Sequence, residues 1–166
     1  LIHHSGTPPF MMLGVEGEKK TIRKWEHEMG IPHFTANQNI TRAFRAVGAK
    51  KIIGVSYSRL QNELTRDYMT EAGFNVLAME PLEVPFEKAG EISPEQVYAL
   101  VHDIFTANPK AEAIYLQGNA WRLLSIVEMM ECDFGVPVIE TCAALCWEIQ
   151  YRLHIREPRD GIGVLM

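Results

Sequence analysis

Three stretches of the sequence share one pattern, in which a helical segment ends at glycine and an extended apolar run follows at once. They read MGIPHFT, AGFNVLAM and FGVPVIE, beginning at residues 29, 72 and 134. Glycine ends helices readily because it adopts the left-handed backbone conformation without steric cost. Repeated helix-to-strand junctions of this kind predict an α/β fold with βαβ units and a mostly parallel sheet.

Short runs typical of buried strands alternate with amphipathic helical stretches from residue 31 onward. We predict strands at 31–35, 51–56, 74–79, 113–117 and 136–140. The clearest helix start is the capping box Ser93-Pro94-Glu95-Gln96, which predicts a helix to about residue 107. Residues 80–92 carry two prolines and mixed charge, and we expect them to form the longest irregular connection.

The composition excludes several classes of protein. The 166 residues are 47% hydrophobic and 22% charged, with a formal net charge of -5, so a basic surface for nucleic acid is not expected. No apolar run approaches the roughly 18 residues that cross a bilayer, so we expect no membrane partner and a cytoplasmic location. Three cysteines, Cys132, Cys142 and Cys146, lack a zinc-finger spacing and are predicted to be free thiols.

Ligands of open parallel α/β sheets bind beyond the carboxyl ends of the strands, where the N–H groups of the next helix converge. Four segments occupy such positions in the predicted order of elements: 5–8, 56–58, 117–119 and 141–142. Each pairs a small or hydroxyl residue with a possible helix start, which would let a carboxylate approach backbone donors. Segments of this kind also serve as ordinary tight turns and helix caps.

The order of several motifs resembles a known superfamily. They are GTPPFMMLG at 6–14, then GIPHFT, RAFRAVGAKKIIGVSYS, YLQGNAWRLLSIVEMMECDFGVPVIETCAALCW and the ending GIGVL. This series resembles the aspartate/glutamate racemase superfamily, and within it the branch with arylmalonate decarboxylase and maleate cis-trans isomerase. The resemblance implies two pseudo-symmetric α/β lobes with the active site between them. It also implies a substrate carboxylate held by backbone amides and hydroxyls, without a cofactor or metal.

Carried over by position, the resemblance implies five substrate-binding residues: Gly6, Thr7, Tyr57, Gly118 and Asn119. Gly6 and Gly118 stand where the superfamily's two catalytic cysteines stand, so neither position offers a thiol. Proton transfer to carbon needs an acid or base within reach of that carbon, and glycine has none. A conventional cysteine racemase or isomerase is therefore disfavoured.

Two other residues are candidates for the missing acid or base. Cys142 lies just past the last predicted strand, where a helix N-terminus would lower the pKa of its thiol. Its ordinary alternative is a small buried residue. Glu140 could act as a base if it were partly desolvated, and its ordinary alternative is a solvated strand end. Pro8, next to Thr7, removes one backbone N–H from the expected carboxylate site.

Two functions remain open at this point. The first is a cofactor-independent enzyme of arylmalonate decarboxylase or maleate isomerase type, acting on a small carboxylate or dicarboxylate through an enediolate-like intermediate. The second is a catalytically degenerate protein of the same fold that binds a carboxylate or a partner without turnover.

The resemblance also implies a division of the chain into lobes. Residues 1–48 plus 142–166 would form part of the first lobe, and 49–141 the second. The abrupt opening LIHHS leads us to expect that the first lobe is N-terminally incomplete, or completed by another chain. A homo-oligomer is compatible with the same resemblance.

Overall fold

The computed structural model describes all residues, 1–166. The strands are β1 Ile2–His4, β2 His33–Thr35, β3 Lys51–Ser56, β4 Asn75–Pro81, β5 Ala113–Leu116 and β6 Val138–Glu140. The helices are α1 Pro8–Met11, α2 Gly14–Met29, α3 Ala36–Ala46, α4 Arg59–Glu71, α5 Pro94–Ala107, α6 Leu124–Phe134 and α7 Thr141–Arg152. No helix is both long and apolar enough to pass through a lipid bilayer.

The strands form two parallel sheets, which confirms the predicted α/β class. Four strands lie in the order β4-β3-β5-β6, and β1 pairs with β2 in a separate two-stranded sheet. In the larger sheet Ile53 of β3 lies opposite Ile114 of β5, and Ile114 lies opposite Val138 of β6. The edge strands β4 and β6 pair in parallel with β3 and β5, and the register of the β3–β4 pair shifts by one residue after Ile52.

Helices cover both faces of the larger sheet. Ile52 and Tyr115 point toward α3 and α4, whereas Ile53 and Ile114 point toward α5 and α6. Successive strand residues thus alternate between two buried faces, because the side-chain period of a strand is two. This double burial explains why the strands read as continuous apolar runs in the sequence.

Helix α3 follows the smaller sheet in the chain but packs on the larger one. Its Phe44 is fully buried and meets the ring of Tyr115 edge-on, with 5.7 Å between ring centroids. Helix α7 lies beside α3, and Arg42 of α3 forms an ion pair with Glu148 of α7 at 2.9 Å. Helices from both ends of the chain therefore share one layer, while the boundaries 1–48, 49–141 and 142–166 stay a prediction.

Local signals in the sequence set several element ends. The capping box at Ser93 is formed in both directions, since Ser93 Oγ accepts from Gln96 N and the Gln96 side chain accepts from Ser93 N. The segment 80–92, expected to be irregular, contains the end of β4 and a 3₁₀ helix, Phe86–Glu91. That 3₁₀ helix brings Phe86 to the carboxyl end of the larger sheet, beside Tyr57.

Candidate active site

A cavity of about 450 Å³ opens where the carboxyl ends of β1, β3 and β5 approach the start of α7. The five residues that the resemblance implied for substrate binding all line it: Gly6, Thr7, Tyr57, Gly118 and Asn119. They come from three segments, of which the first and the last are more than 110 residues apart, so the fold brings together positions that the sequence only suggested. We call this cavity the strand-end pocket.

Thr7 is fixed in the strand-end pocket by hydrogen bonds from two other elements. Gln117 Nε2 donates to Thr7 Oγ1 at 3.3 Å, and Asn37 Nδ2 donates to the Thr7 carbonyl at 3.2 Å. Gln117 is itself held, because its Oε1 accepts from Thr65 Oγ1 at 2.8 Å. The Thr7 hydroxyl accepts in this chain of bonds, so its own proton is available to a ligand.

After β5, the Gly118 N–H is already hydrogen-bonded within the protein, whereas the Asn119 side-chain amide is not. Gly118 N donates to Thr141 Oγ1 at 3.0 Å, and Thr141 Oγ1 donates to the Leu116 carbonyl at 3.1 Å. The Gly118 N–H is therefore not free for a carboxylate. The Asn119 side chain is exposed in the strand-end pocket and has no hydrogen bond within the protein. Its amide can donate to a bound anion.

Tyr57 lies on the inner wall, with only 5% of its surface exposed. Its ring meets Trp121 edge-on at 4.7 Å between centroids, and its Oη accepts from Ala120 N at 2.9 Å. Burial raises the pKa of Tyr57 to about 12, so the phenol keeps its proton at neutral pH. No protein group accepts that proton.

Tyr57 leaves no room for a side chain at position 118. A Cβ built on Gly118 would lie 2.0 Å from Tyr57 Oη, and the residue has a φ of +150° that favours glycine. At Gly6, in contrast, a Cβ would meet no atom within 4 Å. The two glycines at the implied cysteine positions thus differ, since one faces open space and the other accommodates a tyrosine hydroxyl.

Apolar side chains also line the strand-end pocket. Leu60 and Phe86 are each 68% exposed although both are large and hydrophobic, and Leu64 lies beside them. None of the 14 lining residues is Asp, Glu, Lys, Arg, His or Cys. The pocket therefore combines neutral hydrogen-bond donors with an uncovered apolar surface, and Tyr57 is its only titratable side chain.

The structure does not bring Cys142 into the strand-end pocket. Its side chain lines a separate, mostly apolar depression together with Leu124 and Ile149. The sequence led us to expect a lowered thiol pKa at the start of α7. Instead, burial and the neighbouring Glu140 raise the pKa of Cys142 to about 11, so its thiol is protonated at neutral pH.

Glu140 is a buried helix cap and does not line the strand-end pocket. Only 1% of its surface is exposed, in contrast to the solvated strand end considered as its ordinary role. Its carboxylate accepts from Cys142 N at 2.8 Å and from Ala143 N at 2.9 Å, at the start of α7. Burial raises its pKa, although these hydrogen bonds act in the opposite direction. No three His, Cys, Asp or Glu side chains group as metal ligands.

Nine further residues line the pocket that were not chosen from the sequence as site residues, among them Gln117, Thr141, Leu60 and Phe86. Gln117 and Thr141 belong to the strand-end segments 117–119 and 141–142, so their positions did carry a signal. Leu60 and Phe86 carried none, because a helix start and a 3₁₀ turn do not distinguish a pocket wall from ordinary surface.

Solved structures of similar fold agree with this architecture. An arylmalonate decarboxylase structure has a TM-score of 0.90 and 20% identity, covering 99% of this chain and 74% of that chain. The maleate isomerase Iso from Pseudomonas putida S16 has a TM-score of 0.87 and 19% identity, covering 99% and 69%. The maleate cis-trans isomerase from Nocardia farcinica, bound to Tris, has a TM-score of 0.89 and 20% identity, covering 99% and 70%.

At these identities the structural likeness establishes the fold. A search of curated proteins gave no sequence match. The sequence model of the arylmalonate decarboxylase family matches residues 5–166, which is nearly the whole chain. This match and the fold confirm the resemblance to the aspartate/glutamate racemase superfamily: the chain belongs to the arylmalonate decarboxylase family.

Proposed function

We propose that this protein decarboxylates a small malonate-type dicarboxylate with an apolar substituent, through an enediolate-like intermediate and without a cofactor. The observation that carries the proposal is the composition of the strand-end pocket. Neutral hydroxyl and amide donors, which we call the polar wall, and exposed apolar side chains, which we call the apolar wall, both line about 450 Å³ of space. A substrate with one anionic end and one apolar end matches both walls.

The polar wall suits the charge that develops during the reaction. Thr7 and Asn119 present donors that no protein group occupies. Gln117 donates to Thr7 Oγ1 and is itself held by a hydrogen bond from Thr65. Fixed donors of this kind stabilise an enediolate because they need no reorganisation as negative charge moves onto the carboxylate oxygens. The donors are neutral, so the site does not require a cationic partner for the substrate.

The absence of a base favours decarboxylation over racemisation. Abstraction of a proton from carbon needs a base near that carbon, and the pocket lining holds no carboxylate, imidazole, amine or thiol. In decarboxylation the carbon–carbon bond breaks, carbon dioxide leaves, and the electron pair remains on the substrate as the enediolate. The reaction then needs only an acid to deliver one proton.

The apolar wall suggests the substituent. Leu60 and Phe86 expose 68% of their surfaces and would be covered by an aryl or branched alkyl group. Burying apolar surface of this kind contributes about 25 cal/mol per Å² to binding. Maleate has no such group, so we expect an aryl-substituted or alkyl-substituted malonate to be preferred.

The test is incubation of the full chain with 2-methyl-2-phenylmalonate, an alkylmalonate and maleate in heavy water, followed by proton NMR. We expect the phenyl compound to react fastest and to give carbon dioxide and a deuterated monoacid. Thr7→Val should lower kcat/KM about 100-fold through loss of one donor. Thr70→Val, an exposed change on α4, is the matched control. Absence of product from every malonate would refute the proposal.

Binding without turnover is the second candidate function. It is favoured by one observation, namely that glycine occupies both positions where the resemblance implied a catalytic thiol, Gly6 and Gly118. Titration of a phenylmalonate into the protein, followed by NMR line broadening, distinguishes the two. Saturable binding with no product after prolonged incubation would support this second function.

A further inference from the structure

The space beside Gly118 is filled by one functional group, the hydroxyl of Tyr57. A side chain leaving the Gly118 backbone would run directly into Tyr57 Oη, 2.0 Å from the position of its Cβ. The hydroxyl therefore stands where the first atoms of a residue-118 side chain would stand. It reaches this place from β3, across the pocket floor, rather than from the segment after β5.

The Tyr57 hydroxyl can donate a proton, and a backbone N–H can stabilise the phenolate that remains. Its oxygen accepts from Ala120 N at 2.9 Å, and its proton has no acceptor in the protein. After proton loss, the same N–H would stabilise the phenolate oxygen. The ring is held between Trp121 at 4.7 Å and Phe86 at 5.8 Å, both edge-on, so the hydroxyl is fixed in direction.

We propose that Tyr57 is the acid that protonates the enediolate carbon, in place of a thiol from residue 118; this inference rests on the proposed function. The Tyr57 O–H bond breaks, the proton forms a C–H bond with the electron pair left by carbon dioxide, and Tyr57 becomes a phenolate. Water at the open side of the pocket then returns a proton to the phenolate and leaves hydroxide. A hydroxyl fixed on one wall delivers the proton to one face of the substrate.

The experiment compares wild type with Tyr57→Phe, which keeps the ring and removes only the hydroxyl. The substrate is 2-methyl-2-phenylmalonate, because its product is chiral. We expect kcat to fall at least 100-fold while KM changes less than threefold, since general acids contribute about 10²-fold to 10⁴-fold. The residual product should be racemic, because solvent protonates both faces. Tyr98→Phe is the matched control, as Tyr98 is a half-buried residue whose hydroxyl donates to Asp133 Oδ2 and which does not line the pocket.

The outcomes separate this role from the function itself. No turnover by wild type would refute the proposed function and the role of Tyr57 with it. Turnover in which Tyr57→Phe keeps its kcat and the optical purity of its product would refute only the role of Tyr57. A raised KM with unchanged kcat would do the same, because it indicates carboxylate binding. A racemic product from wild type would also refute the role, and that measurement does not depend on the folding of any variant.

Discussion

The close approach of Gly118 and Tyr57 predicts a specific energetic coupling between them. Gly118→Ala places a Cβ 2.0 Å from Tyr57 Oη and 2.1 Å from Cζ, which is far inside van der Waals contact. Both atoms belong to a side chain whose ring packs against Trp121, so a small torsion does not relieve the clash. We expect the tyrosine side chain to be displaced as a whole.

The cost of that displacement follows from the contacts that are lost. The hydrogen bond from Ala120 N is worth about 1 kcal/mol. The edge-on contact with Trp121 contributes about 1 kcal/mol beyond its burial. Alanine at a glycine-favouring φ adds about 1 kcal/mol of backbone strain. Gly118→Ala should therefore lower the free energy of unfolding by about 3 kcal/mol.

A double-mutant cycle measured by urea denaturation tests this value. In a Tyr57→Ala background only the backbone strain remains, so Gly118→Ala should cost about 1 kcal/mol there, a coupling of about 2 kcal/mol. Gly135→Ala is the matched control, because Gly135 has a φ of +67° with no atom within 4 Å of its Cβ position. The reasoning fails if Gly118→Ala costs no more than Gly135→Ala, or costs the same in both backgrounds.

Two further predictions concern buried carboxyl groups. Glu140→Ala removes the acceptor for two N–H groups of α7 and should lower the free energy of unfolding by about 1 to 2 kcal/mol, measured as a lower Tm. Glu140→Gln keeps a side-chain oxygen and should lower stability less. Equal losses of stability in the two variants would contradict the capping role. Glu18 is fully buried, and burial raises its pKa, so the folded state keeps this proton to higher pH than the unfolded state. Its contribution to stability therefore falls as pH rises from the ordinary carboxyl pKa to the raised one. Glu18→Gln should reduce the fall of the urea denaturation midpoint with rising pH. A pH dependence equal to that of wild type would contradict this assignment to Glu18.

The sequence was most informative where burial on two faces left a clear pattern. The strand predicted at 51–56 is β3 as observed. The helix after Ser93 begins at the capping box and ends at Ala107, as predicted. Helix α2 was harder to place, because it is strongly polar and buries only Glu18 and Ile22. A helix with so few buried positions has no clear apolar periodicity from which it can be predicted.

The pocket could be predicted only as a set of strand ends. Parallel strands bring their carboxyl ends to one edge, so Gly118 after β5 and Thr141 after β6 meet there by topology, whereas Thr7 follows β1 of the separate two-stranded sheet. The contact of Tyr57 with Ala120 joins residues 63 positions apart and depends on the packing of one ring. Phe86 reaches the pocket through a 3₁₀ turn that no local pattern marked. The sequence predicted the order of the elements, but it did not predict the directions of these side chains.

The neutral lining of the strand-end pocket also affects how a substrate arrives. A protein of net charge -5 repels a dicarboxylate at long range, and the 14 lining residues offer no positive charge to offset that repulsion. Salt screens this repulsion over about 10 Å at 0.1 M ionic strength. Association of a dianion should therefore become faster as ionic strength rises, which is the reverse of an enzyme that captures anions with lysine or arginine. Recognition begins only at contact, when the oriented hydroxyl and amide dipoles meet the carboxylate.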